Sequence, residues 1–142
     1  MEDVLVGSLM SSPVVTVSPD VTVQAAAQRM TEQEISSVVV VDAANELKGI
    51  LTSTDYVHIA ADGVDATTTT VAEYMSTAVV ATSVNTPVHE VAERMMQRGV
   101  HHMPVTDDVE GVVGMITTKD FAAYLSEARA PTPFRSAEIV TN

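Results

Sequence analysis

The stretch Gly114-Met115-Ile116-Thr117-Thr118-Lys119-Asp120 has a counterpart sixty-five residues upstream, Gly49-Ile50-Leu51-Thr52-Ser53-Thr54-Asp55. In both stretches a glycine and two apolar residues precede a threonine, and an aspartate follows three places later. This pattern predicts a strand that ends where a helix begins. Backbone N–H groups point outward at a helix N-terminus and favour anions, so the stretch is the first candidate for a site that holds a small polar ligand.

The rest of the chain shares this duplication. Residues 6–55 align with residues 71–120 without a gap, and fifteen of the fifty positions are identical. Unrelated sequences would match at about three positions from residue usage alone. We therefore predict two copies of one supersecondary unit, each too small to close its own core, that pack against each other.

Each copy has the residue pattern of a β-α-β-β-α unit. A short β-branched strand is predicted at 14–17 and at 75–81, and a second strand at 35–41 and at 100–105. Four successive valines in the first copy are typical of a strand that is buried on both faces. Pro104 lacks an N–H, so we expect that side of its strand to lie at a sheet edge or at an unpaired place.

A third strand is predicted to end at the threonine of the repeated stretch, and helices are predicted after the first and the third strand of each copy. The first helix of each copy has an apolar face with helical spacing, formed by Val23, Ala26, Ala27 and Met30 and by Val88, Val91, Ala92 and Met95. Thr86 is predicted to cap the second of these helices, with Pro87 as its first residue. The last helix is expected to carry one apolar stripe, made of Phe121, Tyr124, Leu125 and Ala128. The fold class is therefore α/β, or α+β.

Composition excludes several classes of function. The chain has a formal charge of −12, with 19 acidic against 7 basic residues, and so acidic a surface argues against direct nucleic-acid binding. Only Lys48 and Lys119 are lysines, which leaves two interpretations open, a protein from a high-salt cytoplasm or an ordinary acidic one. There is no cysteine, and hence no disulfide, thiol nucleophile or cysteine metal site.

Location is predicted from the ends and the hydropathy of the chain. The acidic start Met1-Glu2-Asp3 differs from the basic start of a signal peptide. Apolar runs fall well short of the roughly 20 residues that span a bilayer. We expect a cytoplasmic protein with no membrane contact.

The Thr-x-x-Asp pattern has a second interpretation. Threonine followed three residues later by an acidic residue also fits a capping box, in which both side chains bond the helix N-terminus. A duplicated unit would inherit a helix cap as readily as a ligand-binding site. A capping box more often has Glu or Gln at its third position, so the shorter aspartate favours a ligand role.

The histidines and the acidic turn are weaker candidates for a functional site. His101 and His102 are neighbours on a predicted strand, so they point to opposite faces and cannot chelate one metal together. His58 and His89 are isolated on predicted helices and are interpreted as solvent-facing. A divalent-metal site that combines His101 with the acidic turn at 107–110 remains a minor alternative.

Taken together, these motifs resemble a tandem pair of cystathionine-β-synthase (CBS) domains, also called a Bateman module. Both copies open with Met-x-x-x-Val-Val and close in the stretch of glycine, two apolar residues and Thr-x-x-Asp. Residues 98–105 are similar to the family's second strand. The resemblance implies a regulatory module that is not an enzyme. Its two units are expected to pack through their small sheets with pseudo-twofold symmetry, and its cleft to hold AMP, ADP, ATP or S-adenosylmethionine.

The resemblance also implies roles for individual residues. Asp55 and Asp120 are expected to accept hydrogen bonds from ribose hydroxyls. The ribose or phosphate contacts are expected from Thr52 and Thr54 in one site and from Thr117 in the other, and from Ser36, Ser37, His101 and His102 on the second strands. Because Lys119 and the two histidines belong to the second site, that site is expected to prefer the more highly charged nucleotide.

The predicted organisation follows from these points. Residues 1–60 are the first CBS motif, 61–70 a linker, 71–128 the second motif and 129–142 a flexible tail. We expect a stand-alone ligand sensor, a homodimer that signals to a separate effector protein and uses no catalytic cofactor. The alternative is a structural or oligomerisation module with empty clefts, in which the Thr-x-x-Asp motifs act only as helix caps.

Overall fold

The structure, a computed structural model, describes residues 4–128. The elements within that range are, in chain order, α1 (Val6–Leu9), β1 (Thr16–Val17), α2 (Val23–Gln33), β2 (Ser37–Val41), β3 (Leu47–Thr52), α3 (Ser53–Asp62), α4 (Val71–Tyr74), α5 (Val88–Arg98), β4 (His102–Asp107), β5 (Gly111–Thr117) and α6 (Thr118–Ala128). The tail predicted at 129–142 lies outside the described residues.

Two small sheets form the centre of the fold. In the first sheet β1 runs parallel to β2, and β2 runs antiparallel to β3. In the second sheet β4 and β5 form an antiparallel pair. The predicted α/β class and the two repeated units with small sheets are confirmed. Val38, Val39 and Val40 are fully buried, as the run of valines predicts.

The strand predicted at 75–81 is not formed. Its copy of the sheet keeps only an isolated parallel bridge between Thr82 and Val105. In the first copy the N–H of Val39 donates to the carbonyl of Val15 at 3.2 Å. The residue equivalent to Val39 is Pro104, which has no N–H to donate, so the second copy lacks one of the hydrogen bonds that join β1 to its neighbour, while Thr82 keeps backbone hydrogen bonds to Pro104 and Thr106.

Two details of the helices also differ from prediction. The N-cap of α5 is Pro87, and the helix starts at Val88, so Thr86 is not the cap. The Thr86 hydroxyl instead lies 3.0 Å from that of Ser83. Leu125, placed on the buried stripe of the last helix, is 53% exposed. The apolar faces predicted for α2 and α5 are confirmed, since their valines and Met30 and Met95 are buried.

The two copies exchange their lead-in segments, residues 4–11 and the equivalent residues 69–76. Ser11 forms two backbone hydrogen bonds with Met115 on β5, at 2.8 and 3.1 Å. Ser76 forms the equivalent pair with Ile50 on β3, at 2.9 and 3.0 Å. Each lead-in segment therefore pairs with the last strand of the other copy.

The cores follow the same exchange. Val71 of α4 is fully buried in a cluster with Val38, Leu51 and other residues of the first copy. Val6 of α1 is fully buried in the cluster of the second copy. A third cluster, made of Val39, Ile50, Val112 and Met115, joins the two sheets. Each copy thus depends on the other for part of its core.

The glycine of the repeated motif is explained by this crossing. A Cβ on Gly49 would lie 2.7 Å from the carbonyl oxygen of Ser76. A Cβ on Gly114 would lie 2.6 Å from the sulfur of Met10 and 3.0 Å from the carbonyl oxygen of Ser11. Only a residue without a side chain lets the opposite lead-in segment approach the strand this closely.

The connection at 61–70 is folded against the first copy. The carbonyls of Ala66 and Thr69 accept hydrogen bonds from the first turn of α2, at 3.2 and 2.8 Å. Thr69 is buried, and its hydroxyl donates to the carbonyl of Asp65 at 2.8 Å. This segment fixes the path from α3 to α4, while the domain boundaries themselves stay a prediction.

Candidate functional site

The candidate residues of both copies lie at the same end of the two sheets. Ser37 at the start of β2 pairs with Thr52 at the end of β3, and His102 at the start of β4 pairs with Thr117 at the end of β5. Helices α3 and α6 begin directly after these strand ends. Hydroxyls, imidazoles and two helix N-termini therefore meet in one region, which we call the motif end.

The aspartates cap the helices that begin at the motif end. The carboxylate of Asp55 accepts a hydrogen bond from the N–H of Thr52 at 2.7 Å. The carboxylate of Asp120 accepts one from the N–H of Thr117 at 2.8 Å, and the Thr117 hydroxyl accepts one from the N–H of Asp120 at 3.3 Å. The geometry of the capping interpretation is thus present in both copies.

The cap leaves acceptor capacity on each carboxylate. Only one oxygen, Oδ2, takes part in the cap contacts of Asp55 and of Asp120. An ionised carboxylate has two oxygens and about four acceptor positions. Both side chains are half-buried. Capping and ligand binding are therefore compatible roles for the same aspartate.

One side-chain contact joins the candidate sets of the two copies. The hydroxyl oxygen of Ser36 lies 3.1 Å from Nε2 of His102, although the residues are 66 positions apart. Ser36 is exposed and His102 is half-buried. Neighbouring backbone contacts support this arrangement, because the carbonyls of Ser36 and His101 accept hydrogen bonds from the first residues of α3 and α6, at 3.0 and 3.1 Å.

The environment of His102 favours the neutral form of its ring. Burial of the imidazole lowers the pKa of His102 below its ordinary value, and the nearby charge of His101 lowers it further. A neutral imidazole has one nitrogen that donates and one that accepts. His102 is therefore able to form a hydrogen bond with a serine hydroxyl without carrying a charge.

The remaining candidates differ in their exposure. Thr54 and Lys119 are equivalent positions on the first turns of α3 and α6, and both are exposed. Ser37 is almost fully buried, at 9% exposure. His101 is exposed beside its half-buried neighbour. His58 and His89 are both exposed, as predicted for isolated histidines on helices.

The metal alternative finds no support in this geometry. His101 precedes β4 and Asp107 ends it, so six residue steps of extended strand, roughly 20 Å, separate them. The carboxylate of Asp107 accepts backbone hydrogen bonds from Val109 and Glu110, both at 2.9 Å, which lower its pKa. No group of three potential metal-binding side chains occurs within residues 4–128.

At the opposite end of the sheets the two hairpin turns contact each other. The Asn45 side-chain amide donates to the carbonyls of Glu110 and Val112, at 2.8 and 2.9 Å. The N–H of Val112 donates to the Asn45 carbonyl at 3.0 Å. The copies are therefore joined at both ends, and nothing in the local sequence pattern of Asn45 indicated this contact.

Two surface depressions lie away from the motif end. One of about 470 Å³ is lined by β1, by the last residue of β2 with the turn that follows it, and by the turn that holds Asp20. The other, of about 270 Å³, lies beside the hairpin turns and includes Ser12, Asn45 and Glu110. Neither is lined by a candidate residue, so the motif end is assigned from its chemistry.

Among the helices within residues 4–128, none has the length and apolar character needed to cross a membrane.

Comparison with protein families gives a consistent match. The family model of the CBS domain matches twice, at residues 6–62 and 71–127. The L-aspartate semialdehyde sulfurtransferase of Methanocaldococcus jannaschii is 30% identical over 118 residues. This match covers 83% of the chain but 22% of that enzyme, so the similarity concerns one part of a longer protein.

Solved structures share the fold. The chain is similar to the CBS domain pair of protein MJ0100 in complex with 5-methylthioadenosine and S-adenosyl-L-methionine, with a TM-score of 0.83 and 27% identity, over 90% of this chain and all of that one. It is also similar to the cytosolic domain of the Mg²⁺ channel MgtE in complex with ATP, with a TM-score of 0.72 and 29% identity. That match covers 87% of this chain and 49% of the other.

Proposed function

The chain belongs to the CBS domain family as a tandem pair, and on this basis we propose that it is a regulatory module whose motif end binds an adenosine-containing ligand. Ligand binding is then passed on to a separate effector protein through a change of shape or of assembly. Such a change requires the ligand to bind one conformation better than another. The module has no catalytic role of its own in this proposal.

The observation that carries the proposal is the meeting of both candidate sets at the motif end. Two half-buried carboxylates, Asp55 and Asp120, stand on the first turns of helices whose N-termini favour anions. A carboxylate suits a ribose because it accepts hydrogen bonds from two neighbouring hydroxyls. The free oxygen of each capping carboxylate supplies this acceptor.

The other candidates take roles that suit phosphate or a sugar. Thr52, Thr54 and Thr117 offer hydroxyls beside a helix N-terminus. Ser36, Ser37, His101, His102 and Lys119 complete the two sets at the strand starts and on the first turn of α6. Of the ten candidate side chains, the imidazoles and the ammonium that favour a phosphate all belong to the second copy.

The ligand class is supported by the similar structures. The MJ0100 pair is described with 5-methylthioadenosine and S-adenosyl-L-methionine, and the MgtE domain with ATP. All three molecules contain adenosine, and they differ in the charge attached to it. We propose that the second copy, with His101, His102 and Lys119, prefers the more highly charged nucleotides among AMP, ADP and ATP.

Substitution of aspartate by glutamate separates ligand binding from helix capping. Glutamate is the more usual partner in a capping box, so Asp55→Glu and Asp120→Glu should keep thermal stability close to that of the unchanged protein. The added methylene displaces the carboxylate from the ribose. We expect calorimetry with AMP, ATP and S-adenosylmethionine to show at least a tenfold loss of affinity in the site that carries the substitution.

The two single variants also test the difference between the sites. If the second site prefers ATP, Asp120→Glu should weaken ATP binding more than Asp55→Glu does. Equal losses from the two variants would contradict that preference. If none of the three ligands binds to the unchanged protein, the ligand-binding function is wrong.

The structural alternative keeps one observation in its favour, the capping contacts of Asp55 and Asp120. In this alternative the clefts stay empty and the module only holds an assembly together. Thermal shift separates the alternatives, since a ligand at 100 times its Kd stabilises the native state by about 2.7 kcal/mol. No shift with any adenosine ligand would favour the structural role.

The assembly and location of the protein belong to the same proposal. We expect a homodimer in the cytoplasm, with an effector protein that binds one ligand state of the dimer. Native mass spectrometry tests the dimer and detects any adenosine ligand that co-purifies.

A further inference from the structure

The two candidate sites contact each other through Ser36 and His102. Ser36 belongs to the first copy and His102 to the second, and their side chains lie 3.1 Å apart. Among the side-chain hydrogen bonds described for the ten candidate residues, it is the one that crosses from one copy to the other. We call this pair the junction.

The junction occupies atoms that a ligand needs. Nε2 of an imidazole serves one hydrogen-bond partner at a time, and a serine hydroxyl has a single proton to donate. A phosphate that bonds Nε2 of His102 must therefore displace the Ser36 hydroxyl. A ligand in the first site that turns the Ser36 hydroxyl toward itself separates the same pair.

From this geometry we propose that the junction couples the two sites, so that ligand in one site increases the affinity of the other. This inference rests on the proposed function, because it assigns Ser36 and His102 to adenosine-ligand sites. The first ligand must break the hydrogen bond of the junction, so its binding free energy includes the whole loss of that bond. The second ligand finds its partner already released, so it binds more tightly.

The size of the coupling follows from the strength of one hydrogen bond. The net contribution of such a bond corresponds to a factor of about 2 to 10 in a binding constant. The coupling is reciprocal, since each ligand changes the affinity for the other by the same factor. Positive cooperativity of this size needs no large movement of the sheets, only the separation of two side chains.

A series of variants in an Asp55→Ala background tests the coupling. This substitution disables the first site, so the remaining site must separate the junction unaided. We expect calorimetry to show one ATP bound. Its affinity should be about 2- to 10-fold weaker than that of the second site in the protein whose two sites are both intact. Adding Ser36→Ala removes the junction, and ATP affinity should rise again by about the same factor.

The matched control is Ser12→Ala in the same background. The Ser12 hydroxyl donates to the carbonyl of Val113 at 3.0 Å, so it also joins the two copies, but it lies beside the hairpin turns. Its removal should leave ATP affinity unchanged. Circular dichroism checks that each variant is folded, and Asp55→Glu replaces Asp55→Ala if loss of the cap prevents folding.

The outcomes separate the coupling from the function. If Ser36→Ala leaves ATP affinity unchanged or weakens it in the Asp55→Ala background, the junction does not couple the sites, while ATP binding itself still supports the proposed function. If Ser12→Ala tightens binding as much as Ser36→Ala, the effect is not specific to the junction, and the coupling is wrong. If the unchanged protein binds no ATP, the coupling proposal fails, and if it binds neither AMP nor S-adenosylmethionine as well, the proposed function also fails.

Discussion

Gly49 and Gly114 show that one motif serves both the fold and the site. Their positions are occupied by glycine because the opposite lead-in segment passes within contact distance. The threonine and aspartate that follow serve the helix start and, in our proposal, the ligand. A motif that looks like a single ligand-binding unit is therefore divided between packing and chemistry.

Replacing Gly49 by alanine should destabilise the protein by about 1–3 kcal/mol, because the new methyl group overlaps the Ser76 carbonyl and the Met75 side chain. Urea unfolding measures the change. Gly7→Ala is the control, since its nearest contacts with Val84 are at 3.4 Å, and it should alter the free energy of unfolding by less than about 0.5 kcal/mol. Equal effects of the two variants would contradict the steric explanation.

His102 should make stability depend on pH. Its pKa in the folded protein is lowered from 6.5 by burial and by His101, so the unfolded chain binds a proton at a higher pH than the folded one does. Stability therefore falls as the pH decreases through about 6.5. The lowered carboxylate pKa values of Asp42, Asp65 and Asp107 start from 3.8, so their titration lies below this window.

Unfolding measurements between pH 7.5 and 5.5 test this expectation. The loss of stability should be smaller in His102→Gln than in the unchanged protein, whereas His89→Gln, at an exposed position, should keep the original slope. If His102→Gln retains the full slope, the pH dependence comes from other groups.

At the scale of the element, the equivalent helices α2 and α5 begin differently. Thr22 is the N-cap of α2, and its hydroxyl accepts a hydrogen bond from the N–H of Ala25 at 3.1 Å. The equivalent residue in the second copy is Pro87, which has no side-chain acceptor. The two copies have thus kept the same helix with different start signals, because the buried apolar face stabilises α5 without a side-chain cap.

Thr22→Ala should destabilise the protein by about 1 kcal/mol, the usual effect of removing a threonine N-cap. Thr86→Ala should have a smaller effect, because Thr86 contacts the Ser83 hydroxyl and is not the cap. Thermal unfolding of both variants checks the order. A larger loss from Thr86→Ala would restore Thr86 as the important start signal of α5.

At the scale of the whole molecule, the exchange of lead-in segments makes the two copies one folding unit. Val6 is fully buried among residues of the second copy, and Val71 among residues of the first. A substitution in one lead-in segment should therefore weaken the other copy. The acidic surface makes the folded state more sensitive to such a substitution, because the net charge of −12 opposes compaction unless salt screens it.

Val6→Ala should destabilise the protein by about 1–3 kcal/mol, the effect of removing two buried carbons and leaving a cavity. Hydrogen exchange should become faster first at Met103 and Ile116 of the second copy. Val71→Ala, the matched variant, should have this effect at Val38 and Leu51. If each variant instead loosens the copy to which it belongs in sequence, the exchange of lead-in segments is wrong.

The sequence alone predicts the repeat, the order of helices and strands from α2 to α3 and from α5 to α6, and the buried faces of α2, β2 and α5. These features depend on local periodicity, and the constant offset of sixty-five residues repeats the signal. It also indicated the residues at the motif end, because the strand starts and strand ends of a hairpin meet. The roles of those residues toward a ligand stay a prediction.

How the two copies join follows from long-range contacts in the folded protein. The contact of Asn45 with the opposite turn and the junction between Ser36 and His102 link residues 65 and 66 positions apart, and the exchange of lead-in segments pairs Ser11 with Met115 and Ser76 with Ile50. No local period encodes such contacts, since they depend on how two preformed units fit together. The lost strand before α5 belongs here as well, because the missing N–H of Pro104 matters only once a neighbouring strand needs it.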